Sequence, residues 1–382
     1  MILSDAQSAH TIRWIHALAG RRHELLLFTL TPPPADAYAE VSGLSIVWPG
    51  LGAGIARRDE GALGKLRYLR AMPLLLSQIR RWNPDLVHAH YASSYGLLAT
   101  LARAHPRIVS VWGMDVFSFP HRSLFHRHLM KWILSGADAV LSTSHIMRAV
   151  VHELVDRPVV VTPFGVDTQR FCPSMDSRPP GSLRVGTIKT LEEKYGIEYL
   201  LRAFAIVRDK GSHPGGYRLL IVGGGSRLDQ LKRLAGDLGI TDWVEFSGAA
   251  SYSEVHLKHQ ALDLAVYPSV EPSESFGVAA VESQSCGVPV VVSRIGGLPE
   301  VVQERLTGLI VPPRDADALA IAMLEILDDA QLRRRMGESA RQHVLDNFSI
   351  STCTDIMERV YESVMAKASG IGIPEATGDR RE

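Results

Sequence analysis

Leu262-Asp-Leu-Ala-Val-Tyr-Pro268, followed by Glu274-Ser-Phe-Gly-Val-Ala-Ala-Val-Glu282, is the passage that decides how this chain folds. The first run is apolar and stops at a proline, so it reads as a buried strand ending in a turn. Glu274 then lies in a loop at the carboxyl end of a strand. A helix is expected to begin near Phe276–Gly277 and to contain Glu282, about 10 Å from Glu274 at a rise of about 1.5 Å per residue. Between the two carboxylates the helix start offers unbonded backbone N–H groups and the positive end of its dipole, which favour an anion such as a diphosphate. Hydroxyl acceptors flanking an anion cradle have the layout of a sugar nucleotide. Taken alone, the spacing is also that of two solvated surface glutamates.

Short apolar runs alternate with helical patterns on either side of this passage. Strands are expected at His23–Leu30, Leu44–Trp48, Asp85–His90, Ile108–Trp112, Ala139–Ser142 and Val159–Thr162, and again at Leu183–Ile188, Arg218–Val222, Val244–Ser247, Leu262–Tyr267, Pro289–Ser293 and Gly308–Val311. Their side chains are apolar on both faces, as in parallel strands covered by helices, and the alternation implies right-handed crossovers. The class is α/β, with two doubly wound, Rossmann-like domains. A length of 382 residues agrees, since a single core stops growing below that size. The expected domains are 1–168 and 169–349, with the boundary near Pro163-Phe-Gly-Val-Asp167 and a polar linker at Pro173–Ser182. A helix over 350–366 is expected to pack back on the first domain, and 368–382 to be a disordered tail. Only Met1–Asp5 precede a helix-like stretch, His10–Leu18, so the first strand is short and a start upstream of Met1 stays open. Ser8-Ala9-His10 stands where a nucleotide-binding first domain would have its glycine-rich turn.

Bulk properties exclude several classes. With 41 basic and 41 acidic residues the formal net charge is zero, which gives no global electrostatic case for nucleic acid. Cys172, Cys286 and Cys353 are far apart and form no Cys-x-x-Cys, which fits a reducing cytoplasm and neither a zinc knuckle nor a disulfide framework. No apolar run approaches the length of a membrane span, and Met1–Asp5 has no signal-peptide regions. A cytoplasmic protein is expected.

Four other segments converge on the same rim. Ile221-Val-Gly-Gly-Gly-Ser226 leaves a strand and opens a helix, as a tight turn lining a cleft does; as a dinucleotide fingerprint it is incomplete. Lys189 closes Gly186-Thr-Ile-Lys189, and Lys194 begins a helical stretch running to Phe204. Two ammonium groups there can neutralise a departing diphosphate. Lys189, Gly223, Gly248 and Glu274 all follow strands, and open α/β sheets bind ligands at the carboxyl ends of their strands.

Together these motifs resemble the retaining glycosyltransferases of family 4, with the GT-B fold of two Rossmann-like domains facing across a cleft. The resemblance spans roughly Ser8 to Phe348. It rests on Glu274-x7-Glu282, Ala265-Val-Tyr-Pro-Ser269, Ser285-Cys-Gly-Val-Pro289, Gly296-Gly-Leu-Pro-Glu300, Thr307-Gly-Leu-Ile-Val-Pro312, Ile221-Val-Gly-Gly-Gly225 and Pro163-Phe-Gly-Val-Asp167. It implies transfer of a sugar from a UDP- or GDP-linked donor to a hydroxyl of a glycan or lipid-linked acceptor, without cofactor or required metal. Glu274 would face the anomeric centre, and Phe276, Gly277 and Val278 would present backbone to sugar and phosphate. Glu282 would hold the ribose hydroxyls, Lys189 and Lys194 the diphosphate, and Gly248 the base. Lys189 stands where the family usually has arginine, which keeps the charge but loses the bidentate fork. The family implication is a front-face reaction in which the leaving phosphate helps to deprotonate the acceptor. Its commonest setting is bacterial surface-polysaccharide or glycolipid synthesis.

The first half departs further from the family. Where many members have His in a His-Gly-x-Asp turn, this chain has Trp112 in Val111-Trp-Gly-Met-Asp115. Trp112, Asp115 and His10 are the acceptor-side candidates, Trp112 as a wall for a sugar or as core. His88-Ala-His90 has the spacing of two same-face metal ligands without a third, and Asp315-Ala-Asp317 reads as a helix cap; no metal site is expected. Two basic helical stretches, Lys65–Trp82 and His121–Trp132, mix cations with apolar residues. The second is a candidate for contact with anionic membrane, placing the protein peripherally on the inner face. A non-hydrolysing sugar-nucleotide epimerase and a non-catalytic sugar-nucleotide-binding protein are the alternatives.

Overall fold

Each of the expected strands forms in the computed structural model, which describes residues 1–34, 36–51, 66–174, 181–251 and 253–370. One parallel sheet contains β1 (Ile2–Leu3), β2 (Leu25–Phe28), β3 (Leu44–Val47), β4 (Val87–His90), β5 (Arg107–Val111), β6 (Ala139–Ser142) and β7 (Val159–Val161), in the order β3-β2-β1-β4-β5-β6-β7. A second contains β8 (Leu183–Ile188), β9 (Tyr217–Val222), β10 (Val244–Gly248), β11 (Leu264–Tyr267), β12 (Val290–Ser293) and β13 (Gly308–Val311), in the order β10-β9-β8-β11-β12-β13. Both sheets are doubly wound, and in each the order reverses between the first and fourth strands, which leaves a crevice at their carboxyl ends.

The chain divides into one unit of Met1–Phe164 with the segment from Cys353 onward, and another of Gly165–Thr352. In the first unit Ile2, Leu27, Ile108 and Leu141 pack with Trp14, Ile15 and Leu18 of the helix Ala9–Gly20 and with Cys353, Met357 and Tyr361. The opposite face of that sheet buries Leu3, Leu26, Phe28 and Ala89 against Leu75 and Leu98. In the second unit Val185, Ile221, Leu264, Val266 and Val291 bury against Leu200 and Phe204 of the helix Ile197–Lys210 and Met323 and Ile326 of the helix Ala316–Leu327. Two covered faces are why the strands read as continuous apolar runs.

Several expected elements shift at their ends. β11 starts at Leu264 because the Asp263 carboxylate accepts from the Arg184 N–H at 2.7 Å, taking the place of a backbone acceptor. Lys194 does not begin the long helix: it sits in a 3-10 turn, Glu193–Tyr195, and the α-helix starts at Ile197 after Gly196 adopts a left-handed conformation. The second basic stretch is a 3-10 turn, Phe119–His121, followed by the helix Leu124–Ser135. The first is a helix from Met72 to Trp82 behind a 3-10 turn, Leu66–Ala71, and its expected start at Lys65 lies outside the described residues. Most of the proposed linker and of the tail also lie outside them. No helix among the described residues is long and apolar enough to cross a membrane.

Candidate active site

The crevice between β8 and β11 is built largely by backbone packing. Lys189 follows β8 directly, and its N–H bonds the Val222 carbonyl at 2.9 Å. The glycine turn after β9 lies against this loop. A Cβ on Gly223, whose φ is +149°, would fall 1.9 Å from the Lys189 carbonyl oxygen, and one on Gly225 would meet the Leu191 backbone; Gly224 faces open space. The same device holds the other side. Gly296, at φ +54°, would place a Cβ 2.1 Å from the Glu274 carbonyl oxygen, and Gly297 donates its N–H to that oxygen at 2.8 Å. The two loops are joined where Val270 N–H bonds the Lys194 carbonyl at 2.9 Å. Glycine is needed at Gly223 and Gly296 because a side chain would be strained at those φ values and would push the loops apart.

These loops bring Lys189 and Glu274 into direct contact. Lys189 Nζ lies 2.7 Å from Glu274 Oε2, with the side chains 17% and 9% exposed. Ser269 Oγ is 3.4 Å from the same carboxylate oxygen. Lys189 Nζ also lies 4.5 Å from the centre of the Tyr195 ring, and Lys194 Nζ lies 4.9 Å from it. Burial works against the Lys189 charge, but Glu274, with Tyr195 and Glu282, outweighs it and raises the pKa above the ordinary lysine value. The ammonium is therefore charged, and with three donors it can hold Glu274 and a ligand oxygen together.

Glu282 lies in the helix Val278–Ser285, which begins after Gly277 in a left-handed conformation, so the carboxylate-bearing helix starts one residue beyond the expected point. Its first N–H groups precede the first intrahelical bonds, made by Ala280 and Val281 to the Gly277 carbonyl. Phe276 is buried against Phe348, ring centres 5.6 Å apart, so its ring belongs to the core. Gly248 ends β10 at a register irregularity, and its carbonyl accepts from Gly223 N–H at 2.8 Å. Tyr195, Ser269 and His259, which packs beneath Glu282, join the site without having been singled out in the sequence. Tyr195 is adjacent to a chosen lysine and Ser269 closes a quoted motif; His259 has no comparable signal.

The first unit places its candidates differently. His10 stacks on Phe164 at 3.7 Å between ring centres, and Trp112 meets both Phe164 and His90 edge-on or tilted, at 5.4 Å and 4.6 Å. Asp115 is fully buried: its carboxylate accepts from Ala92 N–H at 2.9 Å, Gly113 N–H at 2.9 Å and Trp112 N–H at 3.1 Å. It ties the Trp112 turn to the turn after β4, where Tyr91 has φ +69°, and presents no outward face for a hydroxyl. Burial raises its pKa despite those backbone donors. His88 bonds Tyr361 Oη and Ser110 Oγ through its two ring nitrogens, both at 2.7 Å, and His90 bonds Ser4 Oγ at 3.0 Å. These rings are integrated into the core. Asp315 caps the helix Ala316–Leu327, accepting from Ala318 N–H at 2.8 Å.

The family profile of glycosyl transferases group 1 matches residues 177–343, and that of glycosyl transferase 4-like proteins matches residues 1–144. A D-inositol 3-phosphate glycosyltransferase of Corynebacterium jeikeium is 34% identical over 310 residues, covering 73% of this chain and 72% of that protein. The chain belongs to the group 1 glycosyltransferases of family 4 type. A glycogen synthase of Mycobacterium tuberculosis is also similar to this glycosyltransferase, 30% identical over 303 residues, 74% of this chain and 69% of that one. Among solved structures, sucrose-phosphate synthase from Thermosynechococcus elongatus shares the GT-B fold with a TM-score of 0.81 at 23% identity, over 96% of this chain and 98% of that chain. The glycosyltransferase fold thus accounts for both sheets and for their strand order.

Proposed function

We propose that this glycosyltransferase moves a hexose from a UDP- or GDP-linked donor to a hydroxyl of a glycan or lipid-linked acceptor with retention of anomeric configuration. The observation that supports this reading is the 2.7 Å Lys189–Glu274 contact at the switch point of the second sheet, with Glu282 in the same charge cluster. In this reading Glu274 faces the sugar, Lys189 and Lys194 take the diphosphate with the start of the helix Val278–Ser285, and Glu282 takes the ribose hydroxyls. The acceptor oxygen forms its bond to the anomeric carbon on the face from which the diphosphate departs. The bond to the phosphate oxygen breaks with its electron pair, and that oxygen accepts the acceptor's proton. Charge developing on the diphosphate is met by groups already in place, which lowers the barrier without reorganisation. No metal is required in this scheme. His10 and Trp112 are the acceptor-side side chains of choice, and Asp115 holds the Trp112 turn. Incubation with a panel of UDP-, GDP- and ADP-sugars followed by mass spectrometry tests the reading. Transfer or slow donor hydrolysis is the expected result; a changed sugar with the nucleotide retained, or binding without turnover, overturns it.

A second observation favours a lipid-linked acceptor. On the helix Leu124–Ser135, Leu124, Phe125 and Trp132 are exposed, the first two at 75% and 65%, on a face shared with His128 and Lys131. No acidic residue occurs between Asp115 and Asp138. Apolar side chains amid cations suit the surface of an anionic bilayer, and peripheral attachment to the inner face of a bacterial membrane during surface-polysaccharide or glycolipid synthesis follows from this reading.

A further inference from the structure

Beneath Glu282 lies a hydrogen-bonded chain of three side chains that the donor scheme above does not use. His259, on the short helix Val255–Gln260, is completely buried and meets Phe171 edge-on at 5.6 Å. Its Nδ1 is 2.8 Å from Ser283 Oγ, and its Nε2 is 3.4 Å from Glu282 Oε2. Ser283 Oγ is in turn 2.8 Å from Tyr267 Oη, which is 2.8 Å from the Ala279 carbonyl oxygen.

The positions of the protons follow from which atoms can donate. A carbonyl oxygen only accepts, so the Tyr267 hydroxyl donates to Ala279. Tyr267 Oη therefore accepts from Ser283, and Ser283 Oγ accepts from His259 Nδ1–H. Nδ1 is thus the donor whatever the charge of the ring. The nitrogen facing Glu282 then has an N–H only in the imidazolium form, the one form in which both ring nitrogens donate. A neutral ring with its proton on Nδ1 would instead aim a lone pair at a carboxylate that is itself only 7% exposed. Among the described residues Nε2 has no completed hydrogen bond, and the 3.4 Å gap to Oε2 is an ion-pair separation that a small rotation of the carboxylate would close.

We propose that His259 is a positioning residue for Glu282: its Nε2–H holds the inner carboxylate oxygen and so orients the group toward the donor's ribose hydroxyls. The proposal rests on the reading of Glu282 as the ribose carboxylate. His259 and Glu282 then act as one device, and the contact tightens when hydroxyls engage the carboxylate from the other side. A buried ion pair is also costly to dismantle from one side, so truncating the ring alone removes a charged contact from a carboxylate that is itself largely buried.

The test uses the full chain with UDP and GDP, each also as its 2′,3′-dideoxynucleotide, and measures Kd by calorimetry. The side-chain amide of glutamine reaches the position of Nε2, and that of asparagine the position of Nδ1. His259→Asn is expected to weaken binding of the preferred ribonucleotide roughly 10- to 100-fold, the loss of one hydrogen bond to a charged group, while His259→Gln stays near wild type. With the dideoxynucleotide, wild type and His259→Asn bind alike. Combined with Glu282→Gln, the His259→Asn change adds little further. A purely structural role predicts equal losses for Asn and Gln and no dependence on the ribose hydroxyls, and that pattern overturns the proposal. If Glu282→Gln weakens ribonucleotide binding and His259→Asn does not, the role of His259 fails while the ribose reading stands. If neither weakens it, the ribose reading itself has failed and the proposal falls with it.

Discussion

Lys189 Nζ and Glu274 Oε2 are 2.7 Å apart at the carboxyl ends of two adjacent strands, β8 and β11, with both side chains largely withdrawn from solvent. In the proposed function the ammonium is shared between that carboxylate and the donor's diphosphate. Replacing Glu274 by Ala is expected to reduce transfer about 10²- to 10³-fold, as for loss of a group aligned with developing charge. It should also destabilise the fold by about 3 kcal/mol through the unpaired lysine. Initial rates and thermal melts measure the two effects separately. Wild-type transfer by the variant would sink the mechanism.

Glu282 should behave differently. Glu282→Gln is expected to raise the KM for the donor about tenfold or more while changing kcat little, since the proposed ribose contact would be made equally in the ground and transition states. A fall in kcat at unchanged KM would move Glu282 from ribose binding to the reacting centre.

The glycines of the rim offer a matched comparison. Gly224→Ala meets no atom within 4 Å and should be tolerated, whereas Gly223→Ala and Gly296→Ala force the Lys189 and Glu274 carbonyls aside. The latter two are expected to lose activity by more than about tenfold, since displacing reacting groups by about 1 Å is that costly. Equal activity of all three variants would show that backbone closeness at these points is dispensable.

Acid should destabilise the first unit through its buried histidines. Burial, and then the neighbouring His10, pushes the His90 pKa down to about 3, and burial with His90 lowers His88 in the same direction. The unfolded chain takes up protons near pH 6.5 that the folded chain refuses, so the contribution to stability is complete above that value and declines as pH falls toward the folded pKa. As pH falls from 6.5 to 5, before most carboxylates titrate, the slope should rise from about half of its limit to the limit itself, about 1.4 kcal/mol per pH unit per histidine. Denaturant titrations of the wild type and of His90→Asn, which keeps a donor near Ser4, should show a shallower acid limb in the variant. Identical limbs would mean that the protons go elsewhere.

The exposed face of Leu124–Ser135 predicts co-sedimentation with vesicles containing anionic phospholipid and little with neutral ones. Replacing Leu124, Phe125 and Trp132 by Ser should abolish it while leaving turnover of a short soluble acceptor intact. Absence of any preference for anionic vesicles in the wild type would count decisively against membrane contact.

What the sequence reveals and what it hides follow from the range of the interactions involved. Glu274 and Glu282 are legible because one strand, one loop and one helix place them, all within a short stretch of chain. The strands themselves are legible because those covered on both faces are apolar throughout, whereas their order in each sheet is set by crossovers that no local pattern records. Asp115 looks available for hydroxyls because nothing local signals that the N–H of Ala92, 23 positions away, joins those of Trp112 and Gly113 on its carboxylate. The glycine turn after β9 looks like a ligand contact, yet Gly223 and Gly225 are matched to the Lys189–Leu191 backbone and only Gly224 faces outward. His259 is hidden because its partner Ser283 is 24 positions away and a lone histidine on a short helix has no periodicity.

Gly223 and Gly296 fix the path of the main chain under Lys189 and Glu274 without contributing a side chain of their own. The spacing of the charged pair is therefore set by the main chain rather than by the side chains around it. Ser269 and Tyr195 touch that pair through side chains alone, so substituting them alters the surroundings of the two charges while the glycine-packed loops stay in place.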